Sequence, residues 1–388
     1  MCPLRTRTPQ LDPPSRHPSG QGRPAVLNIG INLGFGRLDP SLTDEQLYSG
    51  ELDVAVEAER LGYDSVWVVE HHFSDYSLCP DNLLVLAHLA GRTSRIKLGT
   101  AAVILPWNDP LRVAEKALMV DNICGGRLLL GVGRGLSRTE YEPFRIPLGE
   151  TRDRFDEAAP MLFEALESGV IEGGGPYYPQ PRAELRPRPR SSFLGRRYCV
   201  AGSPDSVVMA AKLRAKMMSF IVRPVPDLMP TFTRYRELYE AGHGEIAPPI
   251  SLNVNMYCHE DDELARERHF EYVNRFFMSN VEHYEMAGEH FAGVKGHERY
   301  AANAAYFREI GLEKAADDYA ATALWGSPER VLGHIEAIRD VLGDFELTLA
   351  PAFGGMPYEH ARASLGLFAR EVLPKARGLR GAAVSVAA

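Results

Sequence analysis

The chain has 388 residues, a formal net charge of −8 and five cysteines, with 45% hydrophobic and 24% charged residues. That length fits two domains or one large α/β barrel and buries an ample core without staples. The acidic balance points away from nucleic acid. An odd set of cysteines with no CxxC pair (Cys2, Cys79, Cys124, Cys199, Cys258) points to free thiols in a reducing, cytoplasmic setting. No apolar run approaches the roughly 18 residues a membrane helix needs.

Residues 1–25 are rich in Pro, Arg and Ser and lack a signal-peptide core, which predicts a disordered leader before one domain over 26–388. Val26–Asn32 reads as the first strand, with Leu33-Gly34-Phe35-Gly36 as its exit. Thr43 followed by Gln46 fits a capping box for a helix to Leu61, ended by Gly62. Val66–Val69, Val103–Leu105 (the end of a strand over Ile96–Leu105) and Leu128–Val132 lack the alternation of half-exposed strands and suit parallel strands buried on both faces. Helices over Pro80–Ser94 and Pro110–Ile123 separate them, the second opened by proline.

A helix over Arg152–Glu167 leads into a first insertion, about 172–197. Its arginines (Arg182, Arg186, Arg188, Arg190, Arg196, Arg197) are read as a solvated loop rather than an anion-binding arm. Tyr198–Ala201 is the fifth strand, and Ser203-Pro204-Asp205-Ser206 caps the next helix. Met218–Val222 and Ile250–Tyr257 are strands six and seven. Residues 261–324 exceed one crossover helix and form a second insertion, a helical lid or subunit contact. Its aromatics (Phe276, Phe277, Tyr284, Phe291, Tyr300, Tyr306, Phe307) are assigned to core packing. Ser327-Pro328-Glu329-Arg330 caps a helix, Glu346–Leu349 is the eighth strand, and Tyr358–Ala376 closes the chain as a helix. Strands alternating with amphipathic helices imply a parallel sheet, either closed or doubly wound.

Zinc-type, Walker and GxSxG motifs are absent, and Gly131-Val132-Gly133-Arg134-Gly135-Leu136 lacks the last glycine of a dinucleotide fingerprint. The unusual residues sit where strands end: Glu70-His71-His72, Ala101-Ala102 with Pro106-Trp107, and Gly133-Arg134-Gly135. One of His71 and His72 is expected to point into the barrel mouth. Arg134, flanked by glycines, suits a phosphate or a loop carboxylate. Gly202-Ser203 offers backbone N–H groups to an anion, or serves simply as a cap.

These segments together resemble the luciferase-like flavin-dependent monooxygenases, in particular the bacterial luciferase branch. The resemblance is carried by GYDSVWVVEHHF, LAGRTSRIKLGTAAVILPWNDPLRVAEKALMVDNICGGRLLLGVGRGL, VAGSPDS, WGSPERV and LGLFAREVLPKA, across roughly Leu27 to Ala376. It implies a (β/α)8 TIM barrel with insertions, usually dimeric, binding reduced FMN at the carboxyl ends of the strands. On this resemblance His71 is the catalytic histidine, Ala101-Ala102 the site of a non-proline cis peptide, and Arg134, Gly202, Ser203 and Ser206 the phosphate holders. Glu70 and Ala201 join them in the cofactor site. Two positions depart from the light-emitting members: Gly133 stands for a reactive cysteine, and Gly202 for a glutamate.

The resemblance further implies FMNH2 supplied by a separate flavin reductase, O2 as co-substrate, and a flavin hydroperoxide that inserts one oxygen atom into a small aldehyde, ketone or aromatic. The mouth must then be dry, and Phe35, His72, Trp107, Phe220 and Phe353 are the expected pocket wall. His71 would relay a proton near neutral pH. Competing readings keep the barrel but use the deazaflavin F420 for hydride transfer, or bind flavin without turnover. The partners implied are a small-molecule substrate, the reductase and a second copy in a homodimer, without nucleic acid or membrane.

Overall fold

The computed structural model describes residues 26–288 and 298–379. The expected leader, Cys2, Phe291 and the side chain of Tyr300 lie outside the described residues. Eight parallel strands form the barrel: β1 (Ile29–Leu33), β2 (Ser65–Val68), β3 (Lys97–Thr100), β4 (Leu128–Gly133), β5 (Arg197–Val200), β6 (Lys216–Phe220), β7 (Ile250–Cys258) and β8 (Phe345–Ala350). Each pairs with the next in parallel, and β8 pairs back onto β1 through Ile29 and Leu347. The sheet is therefore closed, with helices between strands: a (β/α)8 TIM barrel.

Local chemistry explains why the chain breaks where it does. Thr43 Oγ1 accepts the Gln46 N–H (3.2 Å) while Gln46 Oε1 accepts the Thr43 N–H (2.9 Å), so the helix Asp44–Leu61 starts with a reciprocal cap. Gly62, at φ +90°, ends it in a left-handed turn that feeds β2.

Both faces of the strands are covered. Val66, Val68, Leu98, Leu128 and Leu130 are fully buried in the main core, while Trp67, Ala101, Leu129, Tyr198 and Met218 form a separate apolar cluster. This two-sided burial is why the strands read as continuous apolar runs. Below that cluster, Tyr198 OH donates to Glu346 Oε2 (2.9 Å), and Lys216 Nζ lies 2.5 Å from Glu346 Oε1. The Trp67 ring lies flush against Gly99.

The structure departs from the sequence reading in five places. β1 begins at Ile29 rather than Val26. The run Ile96–Leu105 is interrupted by a cis peptide between Ala101 and Ala102, after which Val103–Ile104 resumes pairing with β4. Leu324–Gly326 adds a short parallel strand beside the end of β7, too brief to show a period in the sequence. The first insertion is partly ordered, because Val170–Gly173 and Gln180–Glu184 form an antiparallel hairpin. Arg196 and Arg197 also leave the solvent, pairing with Asp121 (2.7 Å) and Glu167 (2.6 Å).

The second insertion is helical: Asp262–His283, Glu298–Ile310 and Leu312–Ala321. Phe277 and Val281 of the first helix pack on Ala315 and Ala316 of the third. Cys79, Cys124, Cys199 and Cys258 are buried free thiols. Among the described residues, no helix is long and apolar enough to cross a membrane.

A Cβ at Gly99 would fall 2.2 Å from Trp67 Cε3, closer than two carbons tolerate. Gly99→Ala is expected to destabilise the barrel by about 1–3 kcal/mol through overpacking, measured as a lower urea midpoint with an unchanged slope.

Candidate active site

The carboxyl ends of the strands open into a cavity of about 1220 Å³. Glu70, His71, Ala101, Ala102, Arg134, Ala201, Gly202, Ser203, Ser206 and Phe220 line it. Four residues expected in its wall lie elsewhere. Phe35 is fully buried in the core against Tyr48 (5.3 Å between rings). Phe353 packs into a cluster with Tyr272 and Met356. His72 turns from its neighbour and sets its ring edge-on to Trp107 and Phe144. Trp107 itself stacks on Phe144 (5.2 Å, 14°). These corrections share a cause: an apolar side chain at a strand end is equally at home in the core behind the rim, and the sequence does not say which way it turns.

Glu70 ties the loops after β2 and β3 together. Its Oε1 accepts from Trp107 Nε1 (2.6 Å) and Asn108 Nδ2 (2.7 Å), and its Oε2 from the Ile104 N–H (3.3 Å). A buried carboxylate with this many donors is held in one orientation. Glu70 thus fixes the segment that carries the cis Ala101-Ala102 peptide on the cavity wall.

His71 is oriented by Glu140. Its Nδ1 lies 3.0 Å from Glu140 Oε1, and the same oxygen accepts the His72 backbone N–H at 2.8 Å. A second histidine, His283 at the end of the helix Asp262–His283, brings its Nε2 to 3.5 Å from that oxygen. Ser74 Oγ holds His283 Nδ1 at 2.9 Å, and the Tyr76 ring stacks on it. Burial pushes Glu140 upward, but the bonds from His283 and His71 outweigh it and hold the carboxyl at about 2. Burial lowers His283 below its ordinary value, opposed by the Glu140 bond. The Glu140 carboxylate thus engages His71 Nδ1 and fixes the ring's orientation, leaving Nε2 as the other ring nitrogen. Glu140 was not legible in the sequence, because only folding brings it to a histidine 69 positions away.

Two arginines also line the cavity. Arg134 lines it, with its backbone carbonyl accepting from Tyr141 OH. Arg152 joins it from the first turn of the helix Thr151–Ser168. Arg152 is 4% exposed, and its Nε, Nη1 and Nη2 have no hydrogen-bond partner among the described residues. The carboxylate of Asp156 stands 3.7 Å from Nη1. A buried guanidinium left this way is costly unless an anion reaches it.

One sequence signal could have found Arg152: a cation in a first helical turn opposes the helix dipole and asks for a reason. Facing these arginines, Ser203 caps the helix Pro204–Lys212, and the N–H groups of Gly202 and Ser203 donate to Ser206 Oγ (3.0 and 2.9 Å). These N–H groups are therefore engaged within the helix cap.

The remaining wall comes from the second insertion. Phe276, Phe277, Tyr284, Tyr306 and Phe307, read in the sequence as core in preference to cofactor-facing, line the cavity. The helices that cover the barrel mouth present their apolar underside both to each other and to the cavity.

Residues 28–344 match the family model described as luciferase-like monooxygenase. The chain belongs to that family. The alkanal monooxygenase alpha chain of Photobacterium leiognathi is 26% identical over 352 residues, covering 88% of this chain and 97% of that one. The oxygenase component of the flavin-dependent trigonelline monooxygenase of Acinetobacter baylyi is 31% identical over 165 residues, 42% of this chain and 46% of that one. Among solved structures, monooxygenase RslO1 from Streptomyces bottropensis superposes with a TM-score of 0.68 at 29% identity, covering 90% of this chain and 99% of that one. The oxygenating constituent of 3,6-diketocamphane monooxygenase from Pseudomonas putida, a complex with FMN, shares the fold at 20% identity and a TM-score of 0.69, over 90% and 99% of the two chains. This is a family of flavin-dependent monooxygenases, and the chain is an enzyme of that class.

The depressed Glu140 has a consequence for stability. Its folded value, about 2, lies below its ordinary 4.5. The stability it contributes is therefore complete above pH 4.5 and lost as the pH falls toward 2. Glu140→Gln is expected to be less stable than the parent near neutrality, with the gap between their urea midpoints closing as the pH drops below about 4.5.

Proposed function

We propose that this chain is the cytoplasmic oxygenase component of a two-component monooxygenase, using FMNH2 delivered by a separate flavin reductase. The observation that carries the reading is the pairing of Arg134 and the buried, unsatisfied Arg152 at one end of a cavity whose other side holds His71. A flavin mononucleotide fits these residues. Its phosphate dianion supplies the acceptors that Arg152 lacks, and the start of the helix Pro204–Lys212 adds a favourable dipole. The relatives support the same cofactor and partner: the Acinetobacter protein is named an oxygenase component, and the Pseudomonas structure holds FMN.

When bound, reduced flavin activates O2, so that one oxygen atom enters the substrate and the other leaves as water: substrate–H + O2 + FMNH2 gives substrate–OH + H2O + FMN. The protein's own residues do the rest. Arg134 and Arg152 clamp the phosphate, Glu70 fixes the wall at Ala101-Ala102, and the lid aromatics exclude water from the chamber. His71, held through Nδ1 by Glu140, takes or returns a proton at Nε2 during oxygen transfer. The substrate is an organic molecule admitted beneath the lid.

A homodimer belongs to this reading. Leu84 (71% exposed), Met119 (49%) and Ile123 (56%) stand out on the mutually packed helices Asn82–Arg92 and Pro110–Ile123, an apolar surface suited to a second copy. Light scattering is expected to give twice the chain mass.

Three measurements test the proposal. Arg152→Met is expected to weaken FMN binding about 10–100-fold, the loss of a charge-assisted contact, read by fluorescence titration. His71→Ala should keep FMN affinity and lose product; unchanged product removes the histidine from the mechanism. Oxygen uptake should follow mixing with FMNH2 and not with reduced F420, and the reverse result replaces oxygenation by hydride transfer.

A further inference from the structure

The cavity is lined by chemically different groups: the cations Arg134 and Arg152, and the aromatic rings of Tyr76, Phe276, Phe277, Tyr284, Phe307 and Tyr319. A site for one organic ligand usually encloses roughly 300–1,000 Å³. At about 1220 Å³ this cavity has room for a second molecule beside a flavin.

The lid rings sit at the separations and tilts that aromatic groups prefer. Tyr76 and Phe276 are 6.2 Å apart and 23° from parallel, Phe276 and Tyr319 6.5 Å and 32°, and Phe277 and Phe307 5.7 Å and 87°. Their polar atoms are engaged with one another. Tyr76 OH donates to Asn280 Oδ1 (3.0 Å), Asn280 Nδ2 to the Phe276 carbonyl (2.7 Å), and Tyr319 OH to Asn255 Oδ1 (2.9 Å). The wall therefore offers ring faces and edges, and polar recognition is concentrated toward His71 and Glu140.

A flat fused-ring molecule suits such a wall better than an alkyl chain does. It gains ring contacts beyond its buried area, and its rigidity spares the freezing of many single bonds that a chain must undergo. Resting on the oxygenase reading above, the geometry points to a planar, fused-ring aromatic substrate, seated against the lid aromatics with a hydroxyl- or carbonyl-bearing edge toward His71.

The test uses the full chain with oxidised FMN present, 1,8-dihydroxyanthraquinone as the flat probe and decanal as the flexible one, each followed by equilibrium dialysis. The anthraquinone is expected to bind about tenfold more tightly than decanal. Phe276→Leu, which keeps an apolar side chain and removes the ring, should weaken the anthraquinone about 2–12-fold, the worth of one aromatic pair, with FMN affinity and thermal midpoint unchanged. Should that variant lower the midpoint, Phe307→Leu on a separate lid helix gives the same readout. Decanal binding as tightly as the anthraquinone, or anthraquinone affinity untouched in the ring-deleted variant, overturns the proposal. FMN measured in the same dialysis separates the two readings. Anthraquinone retained without FMN refutes the oxygenase reading and leaves the aromatic site standing, while FMN retained without anthraquinone refutes the aromatic site alone.

Discussion

A parallel sheet with no free edge sends every strand's carboxyl end to one rim, and all the chemistry of this chain follows from that closure. Ile29 paired to Leu347 joins the first strand to the last. Residues scattered from Glu70 to Ser206 then surround one chamber. The opposite end of the barrel is filled and ion-paired through Tyr198, Lys216 and Glu346, so rigidity below the rim leaves the loops above it free to specialise.

The rim divides its buried charge into two accounts of opposite sign. On one side Glu70 and Glu140 are buried anions surrounded by donors, and each holds a loop or a ring in place. On the other, Arg152 is a buried cation that the protein leaves short of acceptors. A satisfied charge fixes geometry and an unsatisfied one recruits a ligand.

The lid contributes more than cover. His283 reaches from the end of the lid helix to within 3.5 Å of the carboxylate that also holds His71, so the insertion and the rim meet at one charged group. Arg138 of the rim pairs with Glu285 just beyond that helix (2.7 Å), which anchors the same joint from the solvent side. The aromatic underside of the lid is thereby held in register with the residues it faces.

The eight strands in order and the caps at Thr43 and Ser203 are written in local patterns along the chain, while closure into a barrel and the rim positions from Glu70 to Ser206 are reached through the family resemblance. The sequence by itself reaches this far because helix caps and two-sided burial leave local patterns, and because the family segments stand in order along the chain. Direction and distance left no such trace. Phe35, His72, Trp107 and Phe353 are apolar or aromatic residues beside the rim whose rings turn into the core or toward one another. Glu140, His283 and Arg152 lie far along the chain from the groups they serve, and only closure of the barrel under its lid brings them together, since their meeting depends on how distant strands and helices pack rather than on any local pattern.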